Sequence, residues 1–527
     1  MRRIVAAALM AGSMLAAGAA SAADTLVYCA EGSPESLNGQ LTTAGNAFDV
    51  VEHIYDRLVQ YRRGTAELEP GLAESWEVSE DGRTYTFRLR KGVKFHSTRD
   101  FKPSRDLNAD DVIFSIERQW KKDHPFHSVA PVYPGFLNMR LGELLEAVEK
   151  VDDLTVRYRL TQPDASFLDA MAHNSQGIMS AEFAGKMMAK GTPERVDLEP
   201  VGTGSYRMVQ YQTDTMIRLR SFHEHWAGEA PLKQLVFVIA PDAAVRLAKV
   251  RAGECHVMPF PNLADVPSLQ ADPNVDLLET ELLSVGYLAF NTAKKPFDDV
   301  RVRRALSMAV DRKAILETIY QGHAKLAKGP LPPLSWAYDP ALPDIGYDPA
   351  AAKVLLAEAG HPDGFEVELW AMPVQRPYNP NARRMAEMMQ TDFAKIGVRV
   401  KIVSYEWGEY LRRTRFGEHD MALLGWSVVE PASFMEDILG CASAVPGGGN
   451  VAKWCNQDYQ ELVGAARRTT VQEERAQLYR EAQKIFQDQA PWLPIAHPTA
   501  ATPVRKEVKG FLPSPFARYW FYGVTVD

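Results

Sequence analysis

Residues 1–22 constrain the rest of the chain more than any other feature. Met1-Arg2-Arg3 is a short cationic start, Ile4 to Ala20 is an apolar run, and Ala20-Ser21-Ala22 is a small-x-small cleavage box. That order of parts is a secretory signal peptide. The apolar run is short for a bilayer span and ends in a cleavage box instead of a charged flank, which argues against a membrane anchor. No Cys follows the box, so no lipid anchor is expected and the mature chain is expected to start at Ala23. Everything after it must fold outside the cytoplasm, where thiols oxidise.

Export removes Arg2 and Arg3 and moves the formal charge from −8 to −10. An acidic chain without basic runs excludes nucleic acid and anionic membrane surfaces as partners. The length exceeds what one core fills and implies two or three packed units. Ten tryptophans and 46% hydrophobic residues exclude disorder. The four cysteines are an even number, as pairing requires. Cys441 and Cys455 enclose a short Gly/Pro-rich loop, and a bridge there contributes about 3 kcal/mol by loop closure. Cys29 and Cys255 are then left to each other, with a free buried thiol as the alternative for each. No Cys-x-x-Cys spacing exists, so zinc is not expected.

Strand and helix signals alternate. Trp76 to Val93 reads as a β-hairpin, with Tyr85, Phe87 and Leu89 on one face and a turn at Glu80-Asp81-Gly82-Arg83. Asn108 is an N-cap before a helix running through Trp120, with Asp110 and Asp111 in its first turn. Leu235 to Ile239 is a buried strand, and Ala243 to Ala252 a helix. Val300 to Tyr320 reads as one long helix. Ala350 to Ala359 is a helix ended by Gly360, Phe365 to Trp370 a strand, Asn381 to Ile396 a helix and Val398 to Val403 a strand. Mixed sheets with flanking helices, an α/β class, are the expected result.

Catalytic motifs are missing: no G-x-S-x-G elbow, no H-E-x-x-H helix and no phosphate-cradling loop. Gly202-Thr203-Gly204-Ser205 is expected to be a tight loop before a strand. His223-Glu224-His225 lacks a third metal ligand and reads as a solvated loop. Asp298-Asp299 sits at a helix start, where the dipole explains it. These absences favour a binder, with an exported hydrolase as the remaining alternative. No cofactor and no metal are expected.

Several segments together carry a family likeness. They are Pro70-Gly71-Leu72-Ala73-Glu74-Ser75-Trp76, Gly202-Thr203-Gly204, Phe290-Asn291 and the helix region Pro296-Phe297-Asp298-Asp299-Val300-Arg301 through Asp311-Arg312. They resemble the peptide-type solute-binding proteins of ABC importers over essentially the whole mature chain. Trp370 to Pro380 and Leu26 to Glu35 place the likeness nearest the dipeptide-binding branch. The resemblance implies a periplasmic location and two disulfides, Cys29–Cys255 and Cys441–Cys455. It implies a two-lobed fold with an extra subdomain in the first lobe. Residues 23–281 plus 499–527 would form lobe I and 282–498 lobe II, closing on ligand by a hinge. It implies inner-membrane ABC permease subunits as partners, a chemotaxis transducer as a second docking partner, and a monomer.

The same resemblance implies the site. Arg376 would grip the ligand carboxylate with two charge-assisted bonds. Tyr378 and Trp407 would be apolar walls. Gly425, Trp426 and Ser427 would offer main-chain bonds to an extended ligand, and the loop holding Gly45 and Asn46 would complete the cleft. One position departs from the pattern. Relatives carry an Asp three residues after the strand Trp, where it pairs with the ligand's α-ammonium, and this chain has Val429 there. A buried ammonium without a partner costs about 3–5 kcal/mol. Either Glu430 substitutes, although adjacent strand residues face opposite sides, or the ligand lacks an ammonium at that place. A blocked or γ-linked peptide such as glutathione, or another carboxylated small molecule such as a haem-like compound, would fit the second case.

Overall fold

The computed structural model describes residues 24–427 and 429–527; the signal peptide and the start at Ala23 lie outside them. Alternating side chains form the hairpin where the sequence placed it. Ala73–Val78 pairs antiparallel with Thr84–Leu89, Trp76 opposite Phe87 and Val78 opposite Tyr85. Tyr85, Phe87 and Leu89 are buried, and Gly82 takes the turn at φ 67°. With Leu145–Asp152 and Thr155–Leu160 this hairpin makes a four-stranded antiparallel sheet. The helix Ala109–Trp120 packs beside it, started by a capping box between Asn108 and Asp111.

A second four-stranded sheet joins Thr25–Ala30, parallel, to Gln234–Ile239, which continues antiparallel to Met216–Ser221 and Tyr206–Gln212. Just before Tyr206 the chain passes tightly over the end of the Gly45–Val51 helix. A Cβ on Gly202 would lie 2.0 Å from the Ile54 carbonyl oxygen, and one on Gly204 2.5 Å from that of His53. The Gly-Thr-Gly loop is thus explained by close backbone approach. His225 is buried, with Nε2 3.7 Å from Asp56 Oδ2, whereas His223 is exposed. The two histidines of that segment do not share a site.

The third sheet has seven strands and links two hydrophobic cores. One core draws on residues between Leu26 and Val257 and between Val504 and Val526; the other draws on Val285 to Ala496. Two strand segments pass between them. Val275–Glu281 runs on through Leu282 and Leu283 into Ser284–Phe290. Trp492–Arg505 pairs with Ser284–Phe290 through its first half and with Val275–Glu281 through its second, Glu281 opposite Thr499. Both disulfides are formed, Cys29–Cys255 with Cα atoms 5.8 Å apart and Cys441–Cys455 with 4.5 Å. Among the described residues no helix is long and apolar enough to cross a membrane.

The expected single helix from Val300 to Tyr320 is a correction. Val300–Ala309 is helical, with Asp299 as its N-cap; Val310 is then extended at φ −93°, ψ 123°. Asp311 restarts the helix at Arg312, its side chain accepting from the Ala314 N–H while its own N–H donates to Asp392 Oδ2 at 3.0 Å. The last turn, Leu316–Tyr320, widens to π geometry. Apolar periodicity survived the break because Ala305, Leu306, Ile315 and Ile319 all remain buried in one core.

Candidate functional site

A cavity of about 210 Å³ lies between the two cores, lined from one side by residues such as Gly45, Asp49 and Asp169 and from the other by Arg376, Trp407 and Trp426. The helix Trp407–Arg415 gives it a wall. Trp407, Leu411 and Arg415 are four residues apart, so they share one face, and all three line the cavity. The opposite face is anchored by Tyr410, whose hydroxyl donates to the Trp370 and Leu423 carbonyls at 3.0 and 2.7 Å.

Arg376 sits in a tight turn closed by reciprocal backbone bonds with Asn379. Its guanidinium lies 5.8 Å from the ring centres of both Phe260 and Trp407 and 3.4 Å from Glu31 Oε1. One side-chain bond, Nη1 to the Gln375 carbonyl at 2.8 Å, uses little of its donor fork. Arg518 lines the same end, 5.0 Å over Phe48, and burial lowers its pKa despite the neighbouring Asp49. Asp49 is pushed well up, first by burial and next by Glu31, while it accepts bonds from Tyr28 Oη (3.2 Å) and the Tyr519 N–H (3.3 Å).

The floor is the strand Met421–Ser427. One edge pairs along its length with Ser284–Phe290, and the other pairs with Glu366–Trp370 only at Met421 and Ala422. The second edge at Leu424 to Ser427 is therefore free of strand pairing. Gly425 and Gly286 are cross-strand partners, and both make room for Tyr378. A Cβ on Gly425 would lie 2.2 Å from Tyr378 Cδ2, and one on Gly286 2.1 Å from the Tyr378 carbonyl oxygen. Tyr320 Oη donates to that same carbonyl at 2.7 Å. Trp426 is fixed by its Nε1–H to Tyr287 Oη at 3.1 Å.

Sequence profiles of the bacterial extracellular solute-binding proteins, family 5 Middle, match residues 67–445. The chain belongs to this family of solute-binding proteins. It is 50% identical to the dipeptide-binding protein of Escherichia coli over 96% of this chain and 95% of that one. It is 47% identical to heme-binding protein A of Haemophilus influenzae over 96% and 93%. Its fold matches the dipeptide-binding protein of Pseudoalteromonas sp. SM9913 in complex with Met-Leu, with TM-score 0.91, 39% identity and coverage of 95% and 100%.

In this solute-binding protein the cavity collects Gly45, Arg376, Tyr378, Trp407, Gly425, Trp426, Ser427, Val429 and Glu430 from the residues the sequence singled out. Asn46 is not in the wall; its amide donates to the Ser33 carbonyl at 2.8 Å and holds the loop. Gly45 faces Arg518, whose Nη1 would stand 3.1 Å from a Cβ there. The alternation argument against Glu430 does not apply. The strand ends at Ser427, so Val429 and Glu430 lie beyond its pleat and both line the cavity. Glu430 is not free, however: Arg475 donates to its Oε1.

Of the cavity residues that sequence reading missed, three carry charge that bears on the ligand. Arg415 is half-buried; among the described residues it forms no salt bridge, and its side chain bonds only Thr43 Oγ1, at 3.2 Å. Burial lowers its pKa with no carboxylate to oppose it. Arg467 meets Asp164 Oδ2 at 2.5 Å across the cores and Glu436 and Asp437 at 3.1 Å within its own. Asp169 lines the cavity beside Glu430. The spacing of Trp407, Leu411 and Arg415 was a legible helix-face signal; the other two are brought in by tertiary packing alone.

Proposed function

We propose that this protein is the periplasmic substrate-binding component of an ABC importer for short peptides. Residues 23–281 with 499–527 form one lobe and residues 282–498 the other, and the lobes close on ligand at the paired crossings. The ligand's carboxylate sits on Arg376 between Phe260 and Trp407. Tyr378 and Trp426 flank its backbone, which runs along the free edge at Leu424 to Ser427 as an added strand. The closed monomer then docks on inner-membrane permease subunits, with a chemotaxis transducer as a second docking partner. The ligand is released unchanged.

The observation that carries this reading is the Arg376 guanidinium, half-committed to Glu31 and open to a cavity that both cores enclose. Support comes from the relatives whose names record dipeptide binding. The test is mass spectrometry of ligand released on denaturing the purified protein, with calorimetry on free dipeptides. Arg376→Ala should cost about 3–5 kcal/mol, the scale of a broken buried pair. Recovery of cleaved product, or no loss on that substitution, would overturn the assignment. Arg415 favours a second reading, a ligand with an additional acidic group such as glutathione or a haem-like compound. In that case the released ligand carries two carboxylates and Arg415→Met weakens it.

A further inference from the structure

The surroundings of Val429 hold a charge imbalance that the Arg376 end does not. Asp169 projects from the helix Phe167–Ala172 of the first core, and Glu430 follows the strand Met421–Ser427 of the second. Both line the cavity with Val429. Asp169 Oδ1 accepts from Tyr61 Oη at 3.0 Å, and among the described residues its Oδ2 has no hydrogen-bond partner and its carboxylate no salt bridge. Arg475 acts on both carboxylates, and its hydrogen bond goes to Glu430. Asp164 is bonded by Arg467, which also serves Glu436 and Asp437, so that guanidinium has no charge to spare for Asp169. Tyr61 and Tyr479, which also neighbour these carboxylates, have their pKa values raised and stay neutral. Two carboxylates against one guanidinium leave a surplus of one negative charge facing the cavity.

Without a cation the surplus must be met by a proton. Burial is the first cause that raises both acids, and for Glu430 the next is the Asp169 charge. Like charges sharing a desolvated site behave in this way. A ligand cation replaces that proton at little cost, because the carboxylates are already in place and desolvated.

We propose that Asp169, with Glu430 behind it, is the counter-ion for the α-ammonium of a free peptide, supplied from the opposite lobe to the Asp that Val429 replaces. This rests on the peptide-receptor reading above and narrows it to ligands with an unblocked amino terminus. Tyr61 is a positioning residue, its hydroxyl holding Asp169 by Oδ1 and leaving Oδ2 without a bond.

Calorimetry with Met-Leu and Ala-Ala, each free and N-acetylated, tests it. Wild type should prefer the free forms by several hundred-fold, the scale of a buried charge left without its partner. Asp169→Asn should lose most of that preference by weakening the free forms, with the acetylated forms within about threefold. Asp169→Ala serves as a second variant, and a thermal melt within a few degrees of wild type shows that each folds. Glu430→Gln should reduce the preference less. Equal binding of free and acetylated forms by wild type overturns the assignment, as does an undiminished preference in both Asp169 variants. Binding of neither form of either dipeptide overturns the peptide-receptor reading itself, which separates the two failures.

Discussion

Asp164→Asn is the perturbation most directly tied to closure. Asp164 belongs to the first core and Arg467 to the second, and their 2.5 Å bond is shut away, with side-chain exposures of 1% and 7%. Arg467 keeps Glu436 and Asp437 when Asp164 is neutralised, so the second core loses little. Asn retains a carbonyl that can accept the two Ser166 bonds now made to Oδ1 at 2.8 and 2.6 Å. What is removed is one charge-assisted bond between the cores, worth about 1.5–3 kcal/mol. On the hinge-closing reading proposed above, that bond belongs to the closed state, so the loss falls there. By linkage the affinity for ligand drops about 10- to 150-fold. Melting of the unliganded protein should change little. Calorimetry gives the affinity, and small-angle scattering should show the ligand-bound radius of gyration returning toward the free value at sub-saturating ligand. Wild-type affinity in a folded Asp164→Asn protein would refute the claim that this pair favours closure.

Gly425→Ala should weaken ligand binding and destabilise the protein by about 1–3 kcal/mol, since the new methyl drives Tyr378 from its seat. Adding Tyr378→Ala should recover much of the stability in a double-mutant cycle; strict additivity would count against the contact. Burial lowers His419 to a pKa of about 3, below its unfolded value near 6.5. Its stability contribution is therefore complete above pH 6.5 and is lost as pH falls toward 3. The stability gap between wild type and His419→Gln, measured by urea unfolding, should shift by about 2 kcal/mol in the variant's favour from pH 7.5 to pH 5. A constant gap would show that His419 ionises freely in the fold. Intact mass of the exported protein should place its first residue at Ala23, and thiol labelling without reduction should find no free cysteine.

Patterns set by neighbours in sequence were legible. The hairpin at Trp76, the Asn108 cap and the glycine ends at Gly360 and Gly397 follow from alternation, capping chemistry and positive φ. The helix break at Val310 was not, because Asp311 caps the new turn only with its N–H held by Asp392, a residue distant in sequence. At the site, aromatic and basic residues near the family segments could be named from the chain. Arg467 and Asp169 could not, since their importance lies in partners on the other core. Glu430 was placed by a rule for strands, yet the strand had already ended at Ser427.

The crossings and the cavity floor are joined through one side chain. Ser284 opens the strand that follows the first crossing, and its cross-strand partner is Ser427, the last residue of the floor. Its hydroxyl donates to the Trp426 carbonyl at 2.8 Å and accepts from Ser427 Oγ at 3.0 Å. Its own carbonyl is bonded to His497 Nδ1 at 3.0 Å, and His497 precedes Pro498, where the second crossing begins to pair with the first. Burial lowers His497 to a pKa of about 4, so it is neutral at physiological pH and Nδ1–H donates to that carbonyl. A ligand strand added at Trp426 and Ser427 is thus one hydrogen bond from the first crossing and two from the second. On the proposed reading, in which the lobes move by bending at these crossings, ordering the floor restrains both segments and couples occupancy to closure without any relay through the distant core.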